Sequence, residues 1–168
     1  NGCYDSAIEL IDVAVSAGGD VVKFQTWKTE LLMTKDTQLA EYQKKKHFGE
    51  QTQYDLAKGL ELSYPEFIAL KKYCDSKDII FMSTADESKS AEFLQDLQDI
   101  FKIGSGEITN LPFLRYLGSF QKQLILSTGM ATYGEIDDAL NVLEESGTSR
   151  QQITVLHCNT EYPTPMED

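Results

Sequence analysis

The sequence has no CxxC pair, no GxGxxG fingerprint, no apolar run long enough to cross a membrane and no signal-peptide pattern. Its three cysteines, Cys3, Cys74 and Cys158, are widely spaced and cannot all pair within one chain. They read as reduced thiols, which points to the cytoplasm. Two histidines, His47 and His157, lie too far apart to form a complete metal site, so metal ligands are not expected within this chain. The lack of GxGxxG after the first strand argues against dinucleotide binding. Positive charge is scarce, with 15 basic residues against 27 acidic ones and a net charge of -12. That balance argues against nucleic acid or an anionic membrane as the main partner. An anionic substrate must then be held by a local group of lysines and backbone amides, against the field of the whole chain.

What is present suits one globular α/β domain. There are 168 residues, 41% hydrophobic and 25% charged, with no low-complexity segment and no close repeat. The first residue is Asn1, and Asp168 follows directly on the turn-like Pro163-Thr164-Pro165. Both ends read as cut, or as lying within a longer protein. Helix and strand signals alternate along the chain. Asp5 or Ser6 is expected to cap a first helix that Gly18-Gly19 ends. Strands are expected over Val21–Thr26, Ile79–Met82, Ile100–Ile103, Leu124–Leu126 and Ile153–His157. Helices are expected over Gln53–Gly59, from the Ser63/Glu66 capping box to Ser76, over Ser88–Gln95, after the Asn110 cap, and from the Thr132/Glu135 capping box to Ser146. A long polar segment from Trp27 to about Gly49 contains Lys44-Lys45-Lys46, a solvated face. The strands are apolar runs, as in parallel sheets covered on both faces. The short, similar intervals after Lys102 favour a barrel over an open sheet. A complete (β/α)8 barrel takes about 250 residues, so the expected fold is an incomplete TIM barrel of about five strands with their helices.

In such folds chemistry sits at the C-terminal strand ends. Here those ends read Lys23 to Thr26, Ser83-Thr84, Lys102 to Glu107, Ser127 to Met130 and His157 to Tyr162. Lysines, hydroxyls and small glycine turns suit a phosphate plus a carboxylate. Each cluster alone has a plainer reading. Lys23 or Lys102 can snorkel to a rim and pair with a carboxylate such as Glu107. Ser83-Thr84 and Ser127-Thr128-Gly129 can be turn and cap residues. Cys158 reads as a small buried hydrophobe, His157 as a hydrogen-bonded core residue and His47 as a loop residue. The functional case rests on five clusters recurring at the same end of successive strands.

The stretches Val22-Lys23-Phe24-Gln25-Thr26, Lys102-Ile103-Gly104-Ser105-Gly106-Glu107, Ile125 to Met130, and His157-Cys158 with Glu161 to Pro165 carry a resemblance. In their order and spacing they resemble the N-terminal barrel of the sialic acid (N-acetylneuraminate) synthase family. Ile108 to Pro112 and the opening Asn1-Gly2 fit it too. The resemblance implies residues 1–168 as a partial TIM-barrel synthase domain lacking the family's C-terminal antifreeze-like domain. It implies condensation of phosphoenolpyruvate with an N-acetylated amino sugar and water, giving a nine-carbon 2-keto sugar acid and phosphate. A divalent metal, Mn2+ or Mg2+, would be held by ligands outside this chain, and the full-length protein would be a homodimer. Lys23 and Lys102 would hold the phosphoenolpyruvate anion, and Ser105, Ser127 and Thr84 would hydrogen-bond it. Glu107 would face the reacting carbons. Gln25, Thr160 and Tyr162 would lie against the sugar. Ala85-Asp86-Glu87 departs from the family's Pro-Phe-Asp, which leaves the shape of that loop open.

Alternatives remain at this point. A legionaminic or pseudaminic acid synthase is a sister reading. A Schiff-base aldolase through Lys102 is another class of enzyme. A non-catalytic barrel fragment is a third reading. The segment alone is expected to be inactive or poorly active.

Overall fold

The structure, a computed structural model, describes residues 2–39, 52–160, 164 and 166. It divides into two compact units, Asn1–Phe81 and Met82–Asp168. Lys44-Lys45-Lys46, His47 and Tyr162 lie outside the described residues.

The first unit opens with α1, Tyr4–Ser16. Its N-cap is the extended Cys3, with no side-chain cap, and not Asp5 or Ser6. Asp5 falls in the first turn instead, where a negative charge favours the helix dipole. The strand β1, Val21–Thr26, follows, and then a short helix α2, Thr29–Leu32, inside the segment expected to be only polar loop. Helix α3, Gln53–Leu60, is opened by a Thr52/Asp55 capping box that the sequence reading passed over. Helix α4, Tyr64–Ser76, has the expected Ser63/Glu66 box. Asp12 of α1 accepts from the Tyr73 hydroxyl at 2.9 and 3.0 Å and pairs with Lys77 at 2.8 Å, which clamps α1 to α4. Phe24 stacks on Phe81 and meets Phe67 edge-on, over a core that includes Ile11, Leu70 and Cys74. The Ile80 N–H donates to the Asp20 carbonyl at the start of β2, Ile80–Ala85, which joins β1 in a two-stranded sheet.

Strand β2, Ile80–Ala85, continues into the second unit. It runs three residues past its expected end, so Ser83 and Thr84 are buried strand residues rather than a turn. The side chain of Gln98 acts on Ser83 as a neighbouring strand would. Its Oε1 accepts from the Ser83 N–H at 2.6 Å, and its Nε2 donates to the Ser83 carbonyl at 2.9 Å. Helix α5, Ser88–Gln95, is capped by Glu87. Then come β3, Ile100–Ile103, a 3-10 turn Ser105–Glu107, and α6, Leu111–Gly118, capped by Asn110 as expected. Strand β4, Gln123–Ser127, leads to α7, Tyr133–Glu145, behind the expected Thr132/Glu135 box. A 3-10 turn Arg150–Gln152 precedes β5, Ile153–Leu156.

The strands β3, β4 and β5 form a parallel sheet in that order, with Lys102 opposite Ile125 and Ile125 opposite Thr154. Phe101, Ile103, Leu124 and Leu126 are buried, as are Phe113, Leu114 and Leu117 of α6 and Ala139 and Leu143 of α7. Gly118 lets α6 and α7 touch, since a Cβ there would stand 2.8 Å from the Ser146 Cβ and 3.0 Å from the Leu143 carbonyl oxygen. Among the described residues no helix is long and apolar enough to cross a membrane.

Candidate active site

Side chains alternate across a strand, so Lys102, its neighbour Ile125 and Ser127 two residues on share one face of the β3–β4 pair. The opposite face is filled by Phe101, Ile103, Leu124 and Leu126. Lys102 is half-buried and has no hydrogen-bond or ion-pair partner among the described residues. The pairing of Lys102 with Glu107 that the sequence allowed is absent. Glu107 instead accepts from the Asn110 side-chain amide at 2.7 Å through Oε2, which leaves Oε1 open. The Ser127 hydroxyl is buried without a hydrogen-bond partner. Buried polar groups are normally satisfied, so one left bare needs a reason, such as strain, a catalytic role or a bound water or ion.

The ends of β3, β4 and β5 close on one another at Gly129. Its N–H donates to Ser105 Oγ at 2.9 Å. That leaves the Ser105 proton free to be donated elsewhere. A Cβ on Gly129 would stand 2.9 Å from Ser105 Oγ and 2.6 Å from Thr160 Cγ2, so a larger residue there would push both side chains aside. Thr128 turns inward and donates through both its N–H and its hydroxyl to the Leu156 carbonyl. Met130 then takes a left-handed φ of 61° and is exposed. Thr84 is buried in the same unit.

Lys23 and Gln25 belong to the first unit, on the exposed face of β1. With Trp27, Leu60, Leu62, Phe67 and others they line a cavity of about 410 Å3. The loop after β1 is held by Glu61, which the sequence reading missed. The clue was a carboxylate set between Leu60 and Leu62. Its side chain is only 10% exposed. It accepts from Lys28 Nζ at 3.0 Å, from the Thr29 N–H at 3.0 Å and hydroxyl at 2.9 Å, and from Lys58 Nζ at 3.2 Å. Burial pushes its carboxyl up, but the hydrogen bonds from Thr29, Lys28 and Lys58 outweigh that and hold it at about 2. Gln98 was missed as well, because nothing in an amide's sequence context shows that it will stand in for a strand.

Two plainer readings fare differently. His157 is exposed rather than a core residue, because β5 carries exposed residues where it was expected to be covered. Cys158 is half-buried, with its thiol donating to the Leu156 carbonyl at 3.5 Å. Burial pushes the Cys74 thiol up to about 11, which removes it as a nucleophile. Among the described residues no group of three or more His, Cys, Asp or Glu could hold a metal ion.

The chain is 43% identical to the N,N'-diacetyllegionaminic acid synthase of Campylobacter jejuni, over all of this chain and 51% of that protein. Its structure matches that of the N-acetylneuraminic acid (sialic acid) synthetase from Leptospira borgpetersenii with a TM-score of 0.80 at 26% identity, over 98% of this chain and 52% of that one. It matches the spore coat polysaccharide biosynthesis protein SpsE of Bacillus subtilis with a TM-score of 0.76 at 32% identity, over 98% of this chain and 42% of that one. The chain therefore spans about half the length of the curated relatives it matches. The expected α/β class, a partial barrel of five strands with their helices, is the architecture it shares with these solved structures. Residues 10–168 match the sequence profile of the NeuB family, and the chain belongs to that family.

Proposed function

We propose that the protein containing this chain is a cytoplasmic transferase that condenses phosphoenolpyruvate with an N-acetylated amino sugar and water, yielding a nine-carbon 2-keto sugar acid and phosphate. One observation carries this reading. A lysine without a partner and a buried bare hydroxyl, Lys102 and Ser127, share one face at the ends of adjacent strands. Such a pair suits an anion that supplies both charge and acceptor oxygens. Identity to a synthase named for N,N'-diacetyllegionaminic acid favours a diacetylated six-carbon acceptor, which is that product less its three pyruvate carbons.

Within this reading C3 of phosphoenolpyruvate bonds to the aldehyde carbon of the sugar, positive character gathers at C2, and the aldehyde oxygen becomes a hydroxyl. Water adds at C2 and the C2–O bond to phosphate breaks. Lys102, with Lys23, holds the phosphoenolpyruvate anion. Ser127 and Ser105 donate hydrogen bonds to its oxygens, and Thr84 adds a third. The open Oε1 of Glu107, held in place by Asn110, faces the reacting carbons and stabilises positive charge or takes a proton there. Gln25, Thr160 and Tyr162 receive the sugar. The divalent metal of the family, Mn2+ or Mg2+, has no fitting set of ligands among the described residues; this reading assigns its ligands to other parts of a longer, dimeric protein.

The test is phosphate release by the full-length protein from phosphoenolpyruvate, with each candidate sugar offered in turn. Release that depends on a diacetamido sugar supports the reading, and release with N-acetylmannosamine alone moves the acceptor to the sialic acid type. Borohydride trapping of pyruvate on Lys102 would replace the synthase by an aldolase.

A further inference from the structure

We propose that Glu61 is a positioning residue that sets Trp27, and through it the amino-sugar side of the site, an inference that rests on the function proposed above. The geometry is a relay. The Trp27 indole N–H donates to Thr29 Oγ1 at 3.2 Å, and Thr29 Oγ1 donates in turn to Glu61 Oε2 at 2.9 Å. Thr29 is fully buried, so its hydroxyl has no water to turn to. Lys28, between them, is fixed at both sides, by Glu61 Oε1 and by the Tyr64 ring, whose centroid lies 4.3 Å from Nζ. Glu61 thus fixes Lys28 and Thr29 directly and Trp27 through Thr29, from a position 32 to 34 residues further along the chain.

This is more than a loop staple because of what Trp27 faces. Its indole lines the same cavity as Gln25 and Lys23 on β1. An indole ring whose N–H is already bonded to Thr29 has its apolar faces left for the C–H groups of a sugar, while Gln25 supplies a donor and an acceptor for an acetamido group. Phosphoenolpyruvate offers no such apolar face. The hydrogen bonds of the relay run to Trp27 and not to Lys23, so it acts on the sugar more than on the anion that Lys23 would meet.

The experiment uses the full-length protein with Glu61→Gln, Thr29→Val and Thr29→Ser. Valine keeps the shape of threonine and loses the hydroxyl, whereas serine keeps it. Glu61→Gln and Thr29→Val are expected to raise KM for the amino sugar fivefold or more, with KM for phosphoenolpyruvate within twofold of wild type and Thr29→Ser near wild type. A parallel rise in both KM values, or none in either, overturns the inference. Wild-type protein that releases no phosphate with any sugar overturns the proposed function instead. Amino-sugar binding followed by the fluorescence lost in Trp27→Phe then decides the relay alone. Binding weakened by Thr29→Val and kept by Thr29→Ser upholds the relay, and binding that is absent or equal in all variants ends it.

Discussion

A buried hydroxyl without a partner, such as that of Ser127, costs the folded chain its lost hydration, so its removal should leave stability unchanged or raised. A hydrogen bond to a charged group contributes about 1.5–3 kcal/mol. Ser127→Ala is therefore expected to raise KM for phosphoenolpyruvate ~10-fold or more in the full-length protein, with a thermal midpoint no lower than that of wild type. Steady-state kinetics beside a melting curve check both halves. Glu61 behaves in the opposite way. Its carboxyl sits at about 2 in the folded chain against an ordinary value of 4.5. A depressed value means that its stabilising effect is complete above pH 4.5 and fades as pH falls through 4.5 towards 2. The gap in urea midpoint between wild type and Glu61→Gln should accordingly be largest near neutral pH and shrink across that window. A gap independent of pH would contradict the four hydrogen bonds.

At the scale of elements, two of the capping boxes were legible in the sequence because a cap is local, while the Thr52/Asp55 box was passed over. Ser63 with Glu66 and Thr132 with Glu135 act within one turn, and the observed helices begin where those pairs stand. The strands β3 and β4 were legible from their apolar runs. The site residues at their ends were legible in kind, since lysine, serine and glycine at a strand mouth already suggest an anion. Their partners were not. That Glu107 would bind Asn110 rather than Lys102, or that Ser105 would accept from Gly129, depends on turns whose direction no residue pattern states. Gln98 shows the same limit at longer range. Leucine in its place would remove both bonds to the buried Ser83 backbone, at about 1–3 kcal/mol for each group left without a replacement. Gln98→Leu should lower the unfolding free energy by at least 2 kcal/mol on that ~1–3 kcal/mol scale, with Gln98→Glu, which keeps the acceptor, falling between. Urea titration of the three proteins orders them.

At the scale of the whole molecule, the chain is acidic and spans about half of the relatives it matches. The metal ligands and further strands that the proposed chemistry requires are assigned elsewhere, so the 168 residues alone should release no phosphate from phosphoenolpyruvate whichever sugar is added. A phosphate-release assay with the purified segment, run beside the full-length protein, checks this. Turnover by the segment would bring the whole reaction within these residues. The Gln98 amide on Ser83 carries a consequence of another kind. Ordinary sheet pairing is largely shielded from mutation, because every residue but proline brings the same backbone donor and acceptor. Here one rung of pairing is written in a single codon, so evolution can add it, delete it or tune it by point mutation. The stretch of β2 that carries Thr84 is thereby open to selection one nucleotide at a time.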